Sequence, residues 1–186
     1  MTVELVPLNP GHFAALYDII SQPQVRKYWR VGPLSMSPDD FSQFLASDAQ
    51  LQFTIVNTNH QIRGFVRLYG LNARDACARI SVLTSPELIG TGAGIVAISK
   101  LVEIAFQDWP LRKLYFEASA GAFAQYASAL KNIVIKEGLL VQHQWNGSCY
   151  EDVVIAAIWR DNWMEADYRH RLIASGRLEP TGSELQ

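Results

Sequence analysis

The chain has 186 residues, of which 49% are hydrophobic and 18% charged, with a formal net charge of −2. A chain of this length buries about 70% of its surface in one core, so one globular domain is expected and a disordered chain is excluded. The near-neutral charge excludes a general nucleic-acid binder, and no apolar run approaches the roughly 20 residues of a membrane span. The start, MTVELVPLNP, has an early acid and no apolar h-region, unlike a signal peptide. Cys77 and Cys149 lack metal-ligand spacing, so a reduced, cytoplasmic protein without a metal is expected. Asn146-Gly147-Ser148 is formally a glycosylation sequon, which means little without a secretory signal.

Residues 3–8 alternate weakly up to Pro10 and read as a first strand. Phe13, Leu16, Tyr17 and Ile20 then form the apolar face of a helix that ends at Gln22-Pro23. Residues 25–30 begin a shorter helical or irregular segment, broken by Gly32-Pro33. Ser37 is a natural N-cap with Pro38 at the first helical position, and Phe41, Phe44 and Leu45 give that helix its buried face. Residues 51–56 and 61–69 alternate as two strands around the turn residues 57–60, a hairpin. Residues 72–75 are a polar turn. Residues 78–84 follow as a central strand, with Ile80 and Val82 on one face and Pro86 as its stop.

Gly90, Gly92 and Gly94 come next, and Ile95, Ile98, Val102 and Phe106 recur at helical spacing up to Pro110. Residues 111–118 form a strand that must run parallel to the central one, because a helix crosses between them. Residues 123–137 read as a helix with Tyr126, Leu130, Ile133 and Val134 toward the core and Gly138 as its C-cap. Residues 139–145 and 150–159 are strands around the turn Asn146-Gly147. The rest of the chain reads as one short helix and a frayed polar tail. Trp159 and Trp163 either form an edge contact or cover the core. The expected layout is a domain over 1–163 and a short helix with a flexible tail over 164–186.

Strand, glycine loop and helix together make an anion site. The first amides of a helix have no intrahelical partner, glycines let a ligand approach the backbone, and the helix dipole favours negative charge. A phosphate or pyrophosphate is therefore expected over residues 90–94; the plain alternative is a flexible turn before an ordinary helix. The loop lacks the G-x-x-x-x-G-K-[ST] run of a P-loop. It also lacks the third glycine of a dinucleotide fingerprint, since Ile95 stands there.

The stretch Ile89-Gly90-Thr91-Gly92-Ala93-Gly94 resembles the pyrophosphate loop Q/R-x-x-G-x-G/A of the GNAT superfamily of acyl-CoA-dependent N-acyltransferases. Ile89 stands where that family carries Arg or Gln. The element order β-α-α-β-β-β-α-β-α-β-β fits the GNAT fold. Shorter strings resemble the branch of ribosomal-protein N-terminal and aminoglycoside 6′-type acetyltransferases: QPQVRKYW at 22–29, IRG at 62–64, KEGL at 136–139 and GSCYED at 147–152. The resemblance implies an α/β single domain with a mixed central sheet whose parallel fourth and fifth strands splay apart. It implies acetyl-CoA as cosubstrate and direct transfer to an amine: a protein N-terminus, an amino sugar or another small amine. Partners would be that amine and, compatibly, a second copy as a homodimer, with no nucleic acid or membrane.

By that resemblance Val82, Leu83 and Thr84 pair with the pantetheine arm, and Ile89, Gly90, Thr91, Gly92, Ala93 and Gly94 hold the pyrophosphate. The thioester would meet a bulged middle of the central strand near Ser81 or Val82, where a backbone amide stabilises the oxyanion. An amine must lose its proton to attack, at a cost of roughly 4.6 kcal/mol at pH 7 for a lysine-like amine and about 1.4 kcal/mol for an α-amine. Glu117, at the C-terminal end of its strand, is the first choice for base or amine anchor, against a solvated strand-end carboxylate. Asp75 is a weaker candidate. Counting back from Gly138, the family's Asn, Ser and Tyr on the fourth helix fall at Ala127, Leu130 and Val134, none of which matches. Tyr126 is the nearest stand-in for the acid, against a core role. Trp29, Tyr150 and Asp152 would border the acceptor, against capping, packing and hairpin roles. Two rival functions are a non-catalytic CoA-binding protein and thioester chemistry without an amine.

Overall fold

The computed structural model describes residues 3–26, 36–47, 49–130, 132–167 and 169–170. Seven strands make one sheet in the order β1-β2-β3-β4-β5-β7-β6. The strands are β1 (Val3–Pro7), β2 (Ala49–Asn57), β3 (Ile62–Asn72), β4 (Cys77–Thr84), β5 (Lys113–Ser119), β6 (Val134–Trp145) and β7 (Tyr150–Trp159). The helices are α1 (Phe13–Ser21), α2 (Pro23–Arg26), α3 (Pro38–Ala46), α4 (Ala93–Asp108), α5 (Ala120–Ala129) and α6 (Arg160–Glu165). Every neighbouring pair of strands is antiparallel except β4–β5, which the crossover through α4 makes parallel.

The sheet separates two apolar layers. On one side Ile80, Leu114 and Phe116 pack with Leu101, Val102 and Phe106 of α4 and with Trp163 of α6. On the other, Phe65 and Leu83 pack with Leu16 and Ile20 of α1 and Phe41 and Leu45 of α3. Trp163 is fully buried, so of its two readings covering the core is the one realised. Ser37 caps α3 as its sequence implies: its hydroxyl accepts the Asp40 N–H at 3.1 Å, and the Asp40 carboxylate accepts the Ser37 N–H at 3.2 Å.

Gly64 shows what that position demands. A Cβ there would stand 2.0 Å from the Leu83 carbonyl oxygen, a backbone atom of the neighbouring strand. Gly64→Ala must push β3 and β4 apart, and overpacking of this kind costs about 1–3 kcal/mol. Urea denaturation should show that loss; unchanged stability would mean the two strands are not in this register.

One expected element is corrected. The helix over 123–137 ends early: α5 stops at Ala129, with Leu130 as its C-cap. Asn132 then takes the left-handed conformation (φ 65°), a helix-terminating geometry that Asn tolerates. Residues 134–137 belong to β6. Gly138 is no cap. It sits inside β6 at a register shift against β7, and a Cβ there would touch Ile155 at 3.6 Å. The signal for strand was the run Ile133-Val134-Ile135, whose branched side chains favour an extended backbone.

Candidate active site

The parallel pair is short. β4 and β5 pair only through Cys77 with Lys113, Ala78 with Leu114 and Arg79 with Tyr115. Beyond that point β4 stays on β3 as far as Thr84 opposite Gly64, and β5 stays on β7 as far as Ser119 opposite Val153. The strands therefore fork, and residues 80–84 present an unpaired backbone edge toward β5. That edge can accept an extended, amide-containing chain as though it were another strand. The register of β4 on β3 runs unbroken from Thr84 to Arg79, so the expected bulge near Ser81 and Val82 is not there. The fork arises because β5 follows β7, not because β4 kinks.

The glycine loop lies at the open end of the fork. Gly90 and Gly92 have φ of 77° and 82°, and a Cβ on either would meet nothing within 4 Å. Gly92 is the N-cap of α4 and has no side chain to satisfy the helix's first amides. The Thr91 N–H bonds to the Leu88 carbonyl at 3.2 Å, and the Ala93 N–H reaches the Thr91 hydroxyl at 3.3 Å. The Gly90, Gly92 and Gly94 amides bond to no other described residue. Open space, free amides and the positive end of a 16-residue helix fit a pyrophosphate. Ile89 is 49% exposed beside this loop and brings no charge to it.

Tyr126 faces the same place. Its ring packs on Phe116 at 5.5 Å between centroids. Its hydroxyl lies 3.9 Å from where a Cβ on Gly94 would stand, and Thr84 Cγ2 lies 3.7 Å from that point. Burial pushes its phenol up to about 12. Counted instead from Leu130, the C-cap that α5 has, the three expected positions fall at Ser119, Ala122 and Tyr126. The first two differ from the expected residues, and the third is a tyrosine whose hydroxyl stands beside the loop at Gly94.

Glu117 lies on β5 beyond the fork point and is not a lone carboxylate. Its Oε1 accepts from Arg79 Nη1 at 2.8 Å. Sequence reasoning missed Arg79. No local pattern signals it: the two residues share a facing on adjacent strands, and only the strand register brings them together. Tyr150 is 62% exposed and packs its ring on Trp145 at 5.1 Å. The Asp152 carboxylate accepts the Gln142 N–H at 2.8 Å across the β6–β7 hairpin, a structural bond. Asp75 accepts from Asn72 Nδ2 at 2.7 Å within its turn. Trp29 lies outside the described residues. Among the described residues no three His, Cys, Asp or Glu side chains converge as metal ligands, and no helix is long and apolar enough to cross a membrane. A separate open hollow of about 750 Å³, lined by Trp109, Arg112 and Trp159, lies at the opposite end of β5 from the fork.

A family model described as an acetyltransferase (GNAT) domain matches residues 2–127. The chain belongs to the GNAT acetyltransferase family and is an acetyl-CoA-dependent N-acetyltransferase. The fold is similar to that of spermidine N-acetyltransferase from Vibrio cholerae in complex with CoA and spermine, with a TM-score of 0.76 and 18% identity over 88% of this chain and 99% of that one. A chimera of spermidine N-acetyltransferase SpeG from Vibrio cholerae and hSSAT gives 0.74 and 17%, covering 89% and 100%. The Vibrio cholerae spermidine/spermine N-acetyltransferase with manganese ions gives 0.70 and 19%, covering 88% and 95%. At these identities the likeness is one of fold. A comparison with curated proteins gives no match.

Proposed function

We propose that this enzyme acetylates a small amine by direct transfer, with acetyl-CoA in the fork between β4 and β5 and the amine arriving beside Glu117. The observation that carries this is the fork itself, open beyond Arg79 and Tyr115, with free loop amides at its mouth. Val82, Leu83 and Thr84 offer backbone groups to the pantetheine arm. The loop from Ile89 to Gly94 holds the pyrophosphate through the Gly90, Gly92 and Gly94 amides. The amine nitrogen attacks the thioester carbonyl, the C–N bond forms and the C–S bond breaks. The ammonium proton is lost before attack, with Glu117 as its first acceptor, and the second proton, shed by the nitrogen once the C–N bond has formed, balances the one the thiolate takes up as it leaves.

Tyr126 assists as a hydrogen-bond donor and not as the full proton source. A phenol near 12 giving its proton to a thiolate whose thiol sits near 8.5 runs about 5 kcal/mol uphill. Tyr150 and Trp29 border the amine, and Asp152 stiffens the hairpin that carries Tyr150. The solved enzymes of this fold include spermidine acetyltransferases, which supports a small acceptor over a protein N-terminus. Two free cysteines suit a reducing cytoplasm.

The test is thiol release from acetyl-CoA with the purified protein and a panel of amines, with the product mass-analysed. Amine-dependent release matched by one acetyl group on the amine is expected. Release that ignores the amine would make this a thioester hydrolase, and CoA binding without release would make it a binding module.

A further inference from the structure

α4 and α5 cover one face of the sheet, where Ile80, Leu114 and Phe116 are buried with them, and the glycine loop opens on that side. The opposite face carries α1 and α3 over Phe65 and Leu83, but at the fork it leaves Arg79 and Glu117 open to a second substrate. The register places Arg79 beside Tyr115 on that face, and Glu117 lies two residues further along β5. The Arg79–Glu117 ion pair spans the strands where they part, at 2.8 Å, with side chains 53% and 31% exposed. Both charges are thus within reach of a ligand. A pair this exposed contributes at most about 1 kcal/mol to folding, so a ligand can part it at little cost.

The neighbouring charges narrow what that ligand is. Arg67 lies on the same face, 4% exposed, with its guanidinium 4.4 Å over Phe44. Lys113 lies there too, held by Glu137 at 3.1 Å. A polyamine would find Glu117 already neutralised and Arg79 repelling its further ammonium groups. A ligand with one ammonium and one carboxylate finds a partner for each: Glu117 takes the ammonium, and Arg79 takes the carboxylate through its planar fork of N–H groups.

We propose that the acceptor is a zwitterionic amine, a compound of the α-amino-acid type whose carboxylate is read by Arg79 while Glu117 orients the nitrogen to be acetylated. This rests on the acetyltransferase reading above. Arg79 is thereby a specificity residue that touches substrate.

The experiment is isothermal titration of the CoA-loaded protein at pH 7 with α-amino acids, each beside its carboxamide, and with spermidine. Thiol release with acetyl-CoA is measured on the same panel. At least one amino acid should bind about 10- to 100-fold more tightly than its amide, the range for losing a charged hydrogen-bond partner. Arg79→Gln should compress that ratio toward one, and Arg79→Lys should restore part of it. Because Arg79 is half-exposed, neither variant threatens folding. Equal binding of acid and amide, or tightest binding by spermidine, would overturn the proposal even where turnover proves the protein an acetyltransferase. A binding preference for the acid without turnover would instead uphold the zwitterion site and sink the catalytic reading.

Discussion

Titration of the Gly92→Asp/Gly94→Asp double variant with acetyl-CoA is expected to show affinity lowered about 100-fold or more, with the fold intact. The loss follows from charge. Two carboxylates would stand at the helix end where the free amides now face open space. Unit charges about 4 Å apart interact by roughly 4 kcal/mol at an effective dielectric of 20, and favourable helix-end charges of about 0.3–1 kcal/mol are already spoken for by the new side chains. Retention of the fold follows from geometry. A Cβ at Gly92 meets nothing within 4 Å, and one at Gly94 makes ordinary contacts at 3.7 Å with Thr84 and 3.9 Å with Tyr126. The left-handed backbone at residue 92 costs a non-glycine about 1–2 kcal/mol, least for Asn and Asp, and Asp in the first turn of α4 is favoured. Ile89→Arg should act in the opposite sense and tighten binding, because it adds a guanidinium at an exposed position beside the same amides. Unchanged affinity in the double variant would mean that the pyrophosphate lies elsewhere.

The part of the site made by backbone was legible in the sequence, and the part made by side-chain encounters was not. The loop from Gly90 to Gly94 announces itself because glycine at these positions serves φ values near 80° and open amides. The parallel pairing of β4 and β5 follows from a single helix of connection. The end of α5 was obscured because Leu130 and Ile133 are both buried, as a continuing helix would require, although the chain has already turned at Asn132 between them. Gly138 invited a cap reading because a glycine after a helical pattern usually ends it. Here the glycine lies inside a strand at a register shift, where a Cβ would make ordinary contact with Ile155. The Arg79–Glu117 pair joins residues 38 apart in sequence and depends on strand register, which no local pattern reports. Glu103 belongs to the same class. In the sequence it is one acid on a mostly apolar helix.

Glu103→Ala is expected to lower stability by about 3–5 kcal/mol, the cost of leaving a buried ionic partner uncompensated. Glu103 is 4% exposed on α4 and is the acceptor for three side chains. Trp163 Nε1 donates to it at 2.8 Å, Gln107 Nε2 at 2.5 Å, and Arg169 Nη2 at 3.2 Å, with Arg169 Nε also 3.0 Å from its other oxygen. This carboxylate clasps α6 and the chain after it onto the helix that carries the phosphate loop. Removing it strands a buried indole N–H and a guanidinium together. Glu103→Gln keeps an acceptor for Trp163 but loses the charge facing Arg169, so it should fall between the two. Thermal melts should drop by roughly 6–20 °C for the alanine variant. A loss below about 1 kcal/mol would mean that water already serves these donors. At a temperature where the variant is folded, its affinity for acetyl-CoA should match that of the parent. Glu103 lies about 15 Å along α4 from Ala93 at 1.5 Å per residue, and the loop amides are fixed by the first turn of the helix. The loop variant and the clasp variant should therefore separate, one losing ligand with a small loss of stability and the other losing stability without ligand. A clasp variant that lost both while folded would show that α4 transmits strain along its length to the glycine loop.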